Sequence, residues 1–157
     1  IAVRRVPCNL EASIRHVVDE RRDARPEQRI DWLAEGDFDG AWDLDRLAQV
    51  ASNLLGNALR HGSSGAPVRV HLDGTDPDAV MLSVSNSGRI AAELLPHIFD
   101  PFRGREERAG RSGGLGIGLY IVQQILAAHG GTVSVTSGDN EQTEFRVRLP
   151  RRMDPEI

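Results

Sequence analysis

The 157-residue chain contains no lysine, because all 19 of its basic residues are arginine. This absence excludes chemistry that needs a lysine nucleophile or the lysine of a P-loop. A single cysteine, Cys8, excludes an intrachain disulfide and a cysteine-based metal site, and it fits a reducing, cytoplasmic setting. No apolar run approaches the roughly 20 residues of a membrane span, and no signal-peptide pattern opens the chain.

The remaining composition is that of one soluble globular domain, with 39% hydrophobic and 27% charged residues. A net charge of −4 argues against non-specific nucleic-acid binding as the main function. The chain begins at Ile1 without a methionine, which suggests a piece of a longer protein.

Apolar residues at helical spacing predict three helices. The first follows Asn9 as N-cap and ends near Arg22, the second runs from Asp43 as N-cap to a stop at Gly62, and the third covers about residues 115–128.

Alternating apolar residues predict the strands, which begin near Ile30, Val68 and Val80, and a final hairpin of 133–135 with 145–149. Residues 35–40 have the composition of a turn. Since each strand has one apolar face, we expect an α/β two-layer sandwich, in which three helices cover one face of a mixed sheet. The predicted domain is 1–150, with 151–157 as a polar tail or linker.

Four polar residues of the second helix share one face: Asn53, Asn57, Arg60 and His61. An amide oxygen is a hard ligand suited to Mg²⁺, and an arginine fork matches phosphate. For the asparagines alone, a polar helix surface is the favoured interpretation.

Two further segments are rich in glycine or arginine. Asn86 ends a strand before Ser87 and Gly88, which a simple turn would also explain. Residues 103–114 contain four arginines and almost nothing apolar, and they lead into the glycines of G-G-L-G-I-G at the start of the third helix. Glycines at a helix N-terminus let backbone N–H groups approach an anion.

In this order the segments resemble the ATP-binding catalytic domain of bacterial histidine kinases, which has the Bergerat fold shared with type II topoisomerases, ninety-kilodalton heat-shock chaperones and mismatch-repair ATPases. The resemblance covers essentially the whole chain. Its N box corresponds to residues 47–61, its first glycine box to 84–90, its F box to 98–102, its second glycine box to 114–119 and a worn last box to 142–145.

The resemblance implies roles for individual residues. Asn57 would hold Mg²⁺ beside Asn53, Arg60 would contact phosphate, His61 would flank the nucleotide, and Asn86 would meet the adenine amino group. Residues 103–114 would be the ATP lid, Phe99 and Phe102 would anchor its base, and Thr143 would reach adenine through water. The remaining residues expected around ATP are Gly88, Ile90, Arg103, Leu115 and Leu119, together with Gly114, Gly116 and Gly118 as the phosphate cradle.

The first glycine box departs from the family's pattern. Asn86 stands where the family usually has an aspartate, and some phytochrome-like kinases also have asparagine there. The box is in addition one residue shorter than usual, so that Arg89 directly precedes Ile90. A neutral acceptor contributes about 0.5–1.5 kcal/mol against about 1.5–3 for a charged one, so nucleotide affinity would fall severalfold. Gln142 also replaces a typical glycine of the last box.

The resemblance implies a phosphotransferase of a two-component phosphorelay that uses ATP and Mg²⁺. The family's ATPases carry a glutamate where this chain has Asn53, and an amide cannot act as a general base, so transfer of the γ-phosphoryl group to a histidine is favoured over hydrolysis. None of the histidines has the context of an acceptor; His129 is expected to end its helix as a favoured cation. The domain would therefore bind ATP without phosphorylating itself.

The implied partners are a separate dimerisation domain that carries the acceptor histidine and a downstream response regulator, without nucleic acid or direct membrane contact. The implied location is the cytoplasm, for a parent protein that could be membrane-anchored. Two alternatives stay open. One is a pseudokinase used as a docking or regulatory module, and the other is a serine kinase of the anti-sigma type.

Overall fold

The computed structural model describes residues 1–63, 65–101, 117–138 and 140–152. In these ranges the helices are α1 (Glu11–Ala24), α2 (Leu44–His61) and α3 (Gly118–Ala128), with a short 3₁₀ helix at Leu95–His97. The strands are β1 (Val6–Asn9), β2 (Ile30–Gly36), β3 (Asp39–Trp42), β4 (Val68–Gly74), β5 (Ala79–Ser87), β6 (Thr132–Ser137) and β7 (Gln142–Pro150).

Five strands form the main sheet in the order β2-β4-β5-β7-β6. β2 and β4 run parallel, and the other neighbours are antiparallel, so the sheet is mixed as predicted. On β4 and β5 the residues that face the helices are buried, for example Val70, Leu72, Leu82 and Val84. The described helices supply the other half of this core, which confirms the two-layer α/β sandwich.

The central helix α2 begins as its sequence predicts. Asp43 caps it, because its side chain accepts a hydrogen bond from the Arg46 N–H, and Gly62 follows its last turn. Seven of its residues are buried, including Asn57. The strength of this helix signal explains why the prediction and the structure agree.

The start of α1 differs from the prediction, because the N-cap residue is Leu10. Asn9 lies instead at the end of β1, where its side chain accepts from the Glu11 N–H and donates to Asp39. The helix also continues to Ala24. The predicted start of the third helix near residue 115 lies outside the described residues, and the described α3 begins at Gly118.

A second, two-stranded sheet pairs β1 with β3 and was not predicted. The expectation of a turn over 35–40 is therefore wrong at its ends, since β2 runs to Gly36 and β3 begins at Asp39. The glycines and aspartates of 35–40 favour a turn, and they mask the weak strand signal of β3. Pairing with β1, a distant segment of the chain, stabilises β3.

The sequence predicts a polar tail from residue 151 onward. For Arg151 this prediction is wrong, because the residue is buried and only 8% exposed. Its guanidinium donates hydrogen bonds to the carbonyl oxygens of Asp39, Gly74 and Asp76. These bonds satisfy a buried charge, so Arg151 belongs to the packed domain.

Candidate active site

A cavity of about 330 Å³ opens beside α2, where β5 ends and β7 begins. Six residues that were predicted from the sequence to bind ATP line it: Asn57, His61, Asn86, Gly88, Ile90 and Thr143. Other lining residues were not predicted, namely Arg89, Ala91, Leu94 and Ile98. Ile98 opens the F box, whereas Ala91 and Leu94 lie in the connection before it, where apolarity was the only available signal.

The register of the sheet places two predicted site residues next to each other. Asn86 on β5 is the cross-strand partner of Thr143 on β7, although 57 positions separate them in the sequence numbering. Both side chains are buried, at 4% and 2% exposure, and Asn57 of α2 is 8% exposed. Three buried polar side chains therefore line a cavity whose other walls are formed by four apolar residues together with Gly88, His61 and Arg89.

The orientation of the Asn86 amide follows from its neighbour. Its Nδ2 donates to the carbonyl oxygen of Ser87 over 3.1 Å. Since a carbonyl oxygen only accepts, the amide nitrogen must be the atom that faces it. The Oδ1 of Asn86 is the acceptor that remains for a donor in the cavity, such as an amino group.

A chain of hydrogen bonds fixes the loop after β5. The Ile90 N–H donates to Ser137 Oγ over 2.7 Å, the Ser137 hydroxyl lies 2.8 Å from Thr143 Oγ1, and Thr143 Oγ1 donates to the Gly88 carbonyl over 2.9 Å. Because Thr143 donates to Gly88, the shared proton of the middle pair comes from Ser137. Thr143 thus holds the loop in place, and its water-mediated contact with adenine stays a prediction.

Gly88 adopts a φ of +133°, a conformation that side chains rarely allow. A Cβ atom at this position would lie 2.9 Å from the His61 carbonyl oxygen and 3.3 Å from Asn86 Nδ2. The glycine therefore lets the loop pass close to the end of α2 and to the base of the cavity.

Asn53 does not line this cavity. Its Nδ2 donates to the carbonyl oxygen of Gly118 over 3.2 Å and so joins α2 to the first residue of α3. Leu119, assigned to ATP from the sequence, is 9% exposed and packs in the core.

Arg60 lines a different cavity, of about 360 Å³, between α1 and α2. Phe99 packs edge-on against Phe145 of the core, with ring centroids 6.1 Å apart, in line with its anchoring role. The predicted lid and its flanks lie outside the described residues, which leaves five expected contacts as predictions: Phe102, Arg103, Gly114, Leu115 and Gly116.

Three histidines pair with carboxylates at the surface: His16 with Glu20, His71 with Glu35 and His97 with Asp100. These contacts are those of ordinary surface histidines.

His129 ends α3 as predicted, but the expectation that it is a favoured cation is wrong. Its side chain is fully buried, and its Nε2 accepts a hydrogen bond from the Asp43 N–H over 3.1 Å, which requires an unprotonated nitrogen. Burial lowers the pKa of His129 below its usual value.

The mixed sheet, covered on one face by α1, α2 and α3 and opening into a cavity beside α2, defines a two-layer α/β domain. Residues 42–153 match the family described as histidine kinase-, DNA gyrase B-, and HSP90-like ATPases. The chain belongs to this family, which confirms the resemblance found in its sequence.

Within the family, the chain is similar to sensor histidine kinases. It is 39% identical to the sensor histidine kinase TrcS of Mycobacterium tuberculosis, over 86% of this chain and 28% of that protein. It is 40% identical to a bacteriophytochrome of Pseudomonas aeruginosa, over 97% of this chain and 21% of that protein. These near-equal identities do not assign the chain to the phytochrome-like subgroup.

Solved structures of histidine kinases are also similar to this chain. Full-length ShkA in complex with AMPPNP is 27% identical, with a TM-score of 0.78 over 96% of this chain and 32% of that one. The histidine kinase ThkA in complex with the response regulator TrrA is 25% identical, with a TM-score of 0.76 over 96% of this chain and 42% of that one. The chain spans about a quarter of the length of the two curated relatives, so it corresponds to one part of such proteins.

None of the helices in the described part of the chain combines the length and apolarity needed to cross a bilayer.

Proposed function

We propose that the chain is the ATP-binding catalytic domain of a sensor histidine kinase and that it transfers the γ-phosphoryl group of ATP to a histidine on a separate dimerisation domain. The observation that carries the proposal is the cavity in which Asn57 of α2 meets Asn86 and Thr143 of the sheet. Apolar walls with a few convergent polar groups are what a nucleotide base requires.

The adenine ring would occupy the apolar part of the cavity, formed by Ile90, Leu94 and Ile98. Its amino group would donate to Asn86 Oδ1, the acceptor that the Ser87 contact leaves available. His61, which also lines the cavity, would flank the ring. The base is thus recognised by one neutral hydrogen bond and by burial of its faces.

Mg²⁺ suits the residues on the adjoining face of α2. Asn57 is 8% exposed and lines the cavity, and an amide oxygen is a hard ligand of the kind that Mg²⁺ accepts beside phosphate oxygens. Asn53 uses its Nδ2 on Gly118, so its Oδ1 is the atom that remains for a cation or a metal-bound water. The ion would neutralise charge on the triphosphate.

The reaction supported by these residues is phosphoryl transfer. A nitrogen of the acceptor imidazole forms the N–P bond while the P–O bond to ADP breaks, the ADP oxygen keeps the electron pair, and the proton of the attacking imidazole passes to solvent. No carboxylate lines the cavity within the described residues, and neither asparagine can deprotonate water. Positioning and charge neutralisation therefore supply the catalysis, with hydrolysis as the slower side reaction.

The proposed setting follows from this reaction. The acceptor histidine belongs to a dimerisation domain outside this chain, and the phosphoryl group then passes to a response regulator. A cytoplasmic location would give the domain access to ATP, whether or not the parent protein is membrane-anchored.

One observation favours a second candidate, a pseudokinase that serves as a docking module. Asn86 offers adenine a neutral acceptor where the family usually has a carboxylate, so binding of ATP could be too weak for catalysis. The anti-sigma type of serine kinase shares the fold and differs in its acceptor.

Calorimetric titration with ADP and with a non-hydrolysable ATP analogue, each with and without Mg²⁺, tests the proposal. We expect micromolar to sub-millimolar binding that strengthens with Mg²⁺ and weakens in Asn57→Ala. Gln49→Ala, on the same helix outside the cavity, is the control. Absence of binding near 1 mM (roughly −4 kcal/mol) by a folded protein would favour the pseudokinase.

A further inference from the structure

A second cavity, of about 360 Å³, lies between α1 and α2 and is lined by three arginines. Arg21 and Arg25 come from α1 and its C-terminal cap and Arg60 from α2, and the other lining residues are Ala24, Gly56 and Leu59. None of these lining residues is acidic, although the chain as a whole carries a net charge of −4. The cavity thus concentrates positive charge on a protein that is otherwise acidic.

Arg21 is held against α2 rather than extended into solvent. Its Nη2 donates to the Ser52 carbonyl oxygen over 3.3 Å and to Ser52 Oγ over 3.1 Å. A Cβ atom on Gly56 would lie 3.1 Å from this same Nη2. A glycine inside a helix is destabilising relative to alanine, and here it makes room for a guanidinium on the helix surface.

Neither Arg21 nor Arg25 pairs with a carboxylate among the described residues, in contrast to Arg22, Arg29 and Arg146, which do. Guanidinium groups gathered around one cavity repel one another, and an anion between them would turn that repulsion into attraction. Their planar forks match the oxygens of a phosphoryl group.

The position of Arg60 relates the two cavities. It lies three residues, about one helical turn, after Asn57, which lines the first cavity. The two cavities therefore lie on neighbouring sides of the C-terminal half of α2, one with apolar walls and the other basic.

We propose that Arg21 and Arg25, together with Arg60, form a phosphoryl-binding compartment beside the first cavity. The ligand chemistry is a phosphate dianion. It could be the terminal phosphoryl group of a nucleotide bound in the first cavity, in which case the inference rests on the proposed function, or a phosphate that binds independently. Arg21 and Arg25 extend the site to α1, a helix that precedes the matched family segment.

Calorimetric titration of the full chain with pyrophosphate tests the compartment itself. We expect Arg25→Gln to weaken binding about three- to tenfold, as for the loss of one partly solvated guanidinium–phosphate contact. Arg15→Gln removes the same charge from an exposed position of α1, outside the cavity, and should leave binding unchanged.

Arg21→Gln should weaken binding at least as much, and its melting temperature reports whether loss of the Ser52 bonds affects the fold. Arg21→Lys keeps the charge without the fork and serves if Arg21→Gln is unstable. Equal pyrophosphate affinities in the wild type and Arg25→Gln, or an equal loss in Arg15→Gln, would overturn the proposal.

Titration with the ATP analogue in the presence of pyrophosphate distinguishes the two sources of phosphate. Competition, together with a weaker analogue affinity in Arg25→Gln and unchanged adenosine binding, identifies the nucleotide's own phosphate. Simultaneous binding identifies an independent phosphate. If no nucleotide binds while pyrophosphate binding still depends on Arg25, the proposed function fails and the compartment stands.

Discussion

The hydroxyl group of Thr143 donates a hydrogen bond to the Gly88 carbonyl oxygen over 2.9 Å, and this bond joins the last strand of the sheet to the loop that closes the cavity. Ser137 extends the connection to the Ile90 N–H. Both ends of this short loop are therefore tied to the β6–β7 hairpin. The shape of the base-binding cavity depends on side-chain hydrogen bonds as well as on packing.

Thr143→Val should remove this connection without changing the volume of the side chain. The Gly88 carbonyl and the Ser137 hydroxyl would lose their partner, so we expect the free energy of unfolding to fall by about 1–3 kcal/mol. Nucleotide affinity should fall severalfold, because the loop that positions Ile90 is released. Chemical denaturation and calorimetry measure the two effects.

Thr136→Val is the matched control, because Thr136 lies on β6 with its side chain exposed. Thr143→Ser retains the hydroxyl and should behave like the wild type within about 1 kcal/mol. Unchanged stability and affinity in Thr143→Val would show that the hydrogen-bond chain does not hold the loop.

Asn86→Asp should raise the affinity for adenine nucleotides and lower the free energy of unfolding. A charged acceptor is worth about 1 kcal/mol more than a neutral one, so adenine nucleotides should bind about fivefold more tightly. The carboxylate would face the Ser87 carbonyl oxygen, which now accepts from Asn86 Nδ2, and we expect a loss of about 1 kcal/mol in unfolding free energy.

Asn86→Ala is the comparison, since it removes both the acceptor and the donor and should weaken binding. If Asn86→Asp binds ADP no better than the wild type, another group recognises the base. Guanine nucleotides, which lack the amino group at that position, should bind poorly to all three proteins.

His129 should make the stability of the domain depend on pH. Burial lowers the pKa of its imidazole, while Arg5 lowers it further and Asp43 acts in the opposite direction. The folded state therefore binds its proton less readily than the unfolded state. The contribution of His129 is fully present above the unfolded pKa of about 6.5 and is lost as the pH falls through the lower folded value.

Urea denaturation between pH 8 and pH 5 (a window about the unfolded value) measures this dependence. We expect His129→Gln to be less stable at high pH and to show a smaller decline on acidification. His16→Gln, at an exposed position on α1, should retain the decline of the wild type. Equal declines in the wild type and His129→Gln would assign the pH dependence to other groups. Asp43 is not one of them, because its pKa is lowered, chiefly by its hydrogen bond from the Arg4 N–H, and it stays ionised across this window.

The sequence predicts those parts of the fold whose signals are local. The cap at Asp43, the apolar stripe of α2 and the alternation in β4 and β5 each identify an element without knowledge of its neighbours. The β1–β3 pair depends on contacts between distant segments, so its two short strands were missed.

The residues of the candidate site likewise fall into those that the sequence identifies and those that it does not. Asn57 and Asn86 could be recognised from their motifs, and both line the cavity. Leu94 could not, because nothing in an apolar residue between two motifs distinguishes a cavity wall from the core. The arginines of α1 lie outside every motif, and only the packing of α1 on α2 brings Arg21 beside Gly56.

Arg151, at the opposite end of β7 from the cavity, binds three backbone carbonyl oxygens and no carboxylate among the described residues. Carbonyl groups do not titrate, and guanidinium stays protonated at any pH at which the protein folds. The three bonds of Arg151 are therefore insensitive to acid, whereas the link that His129 makes to the start of α2 is not. Acidification would weaken the contact between α3 and the start of α2 while Arg151 continues to join β3, β4 and the end of β7.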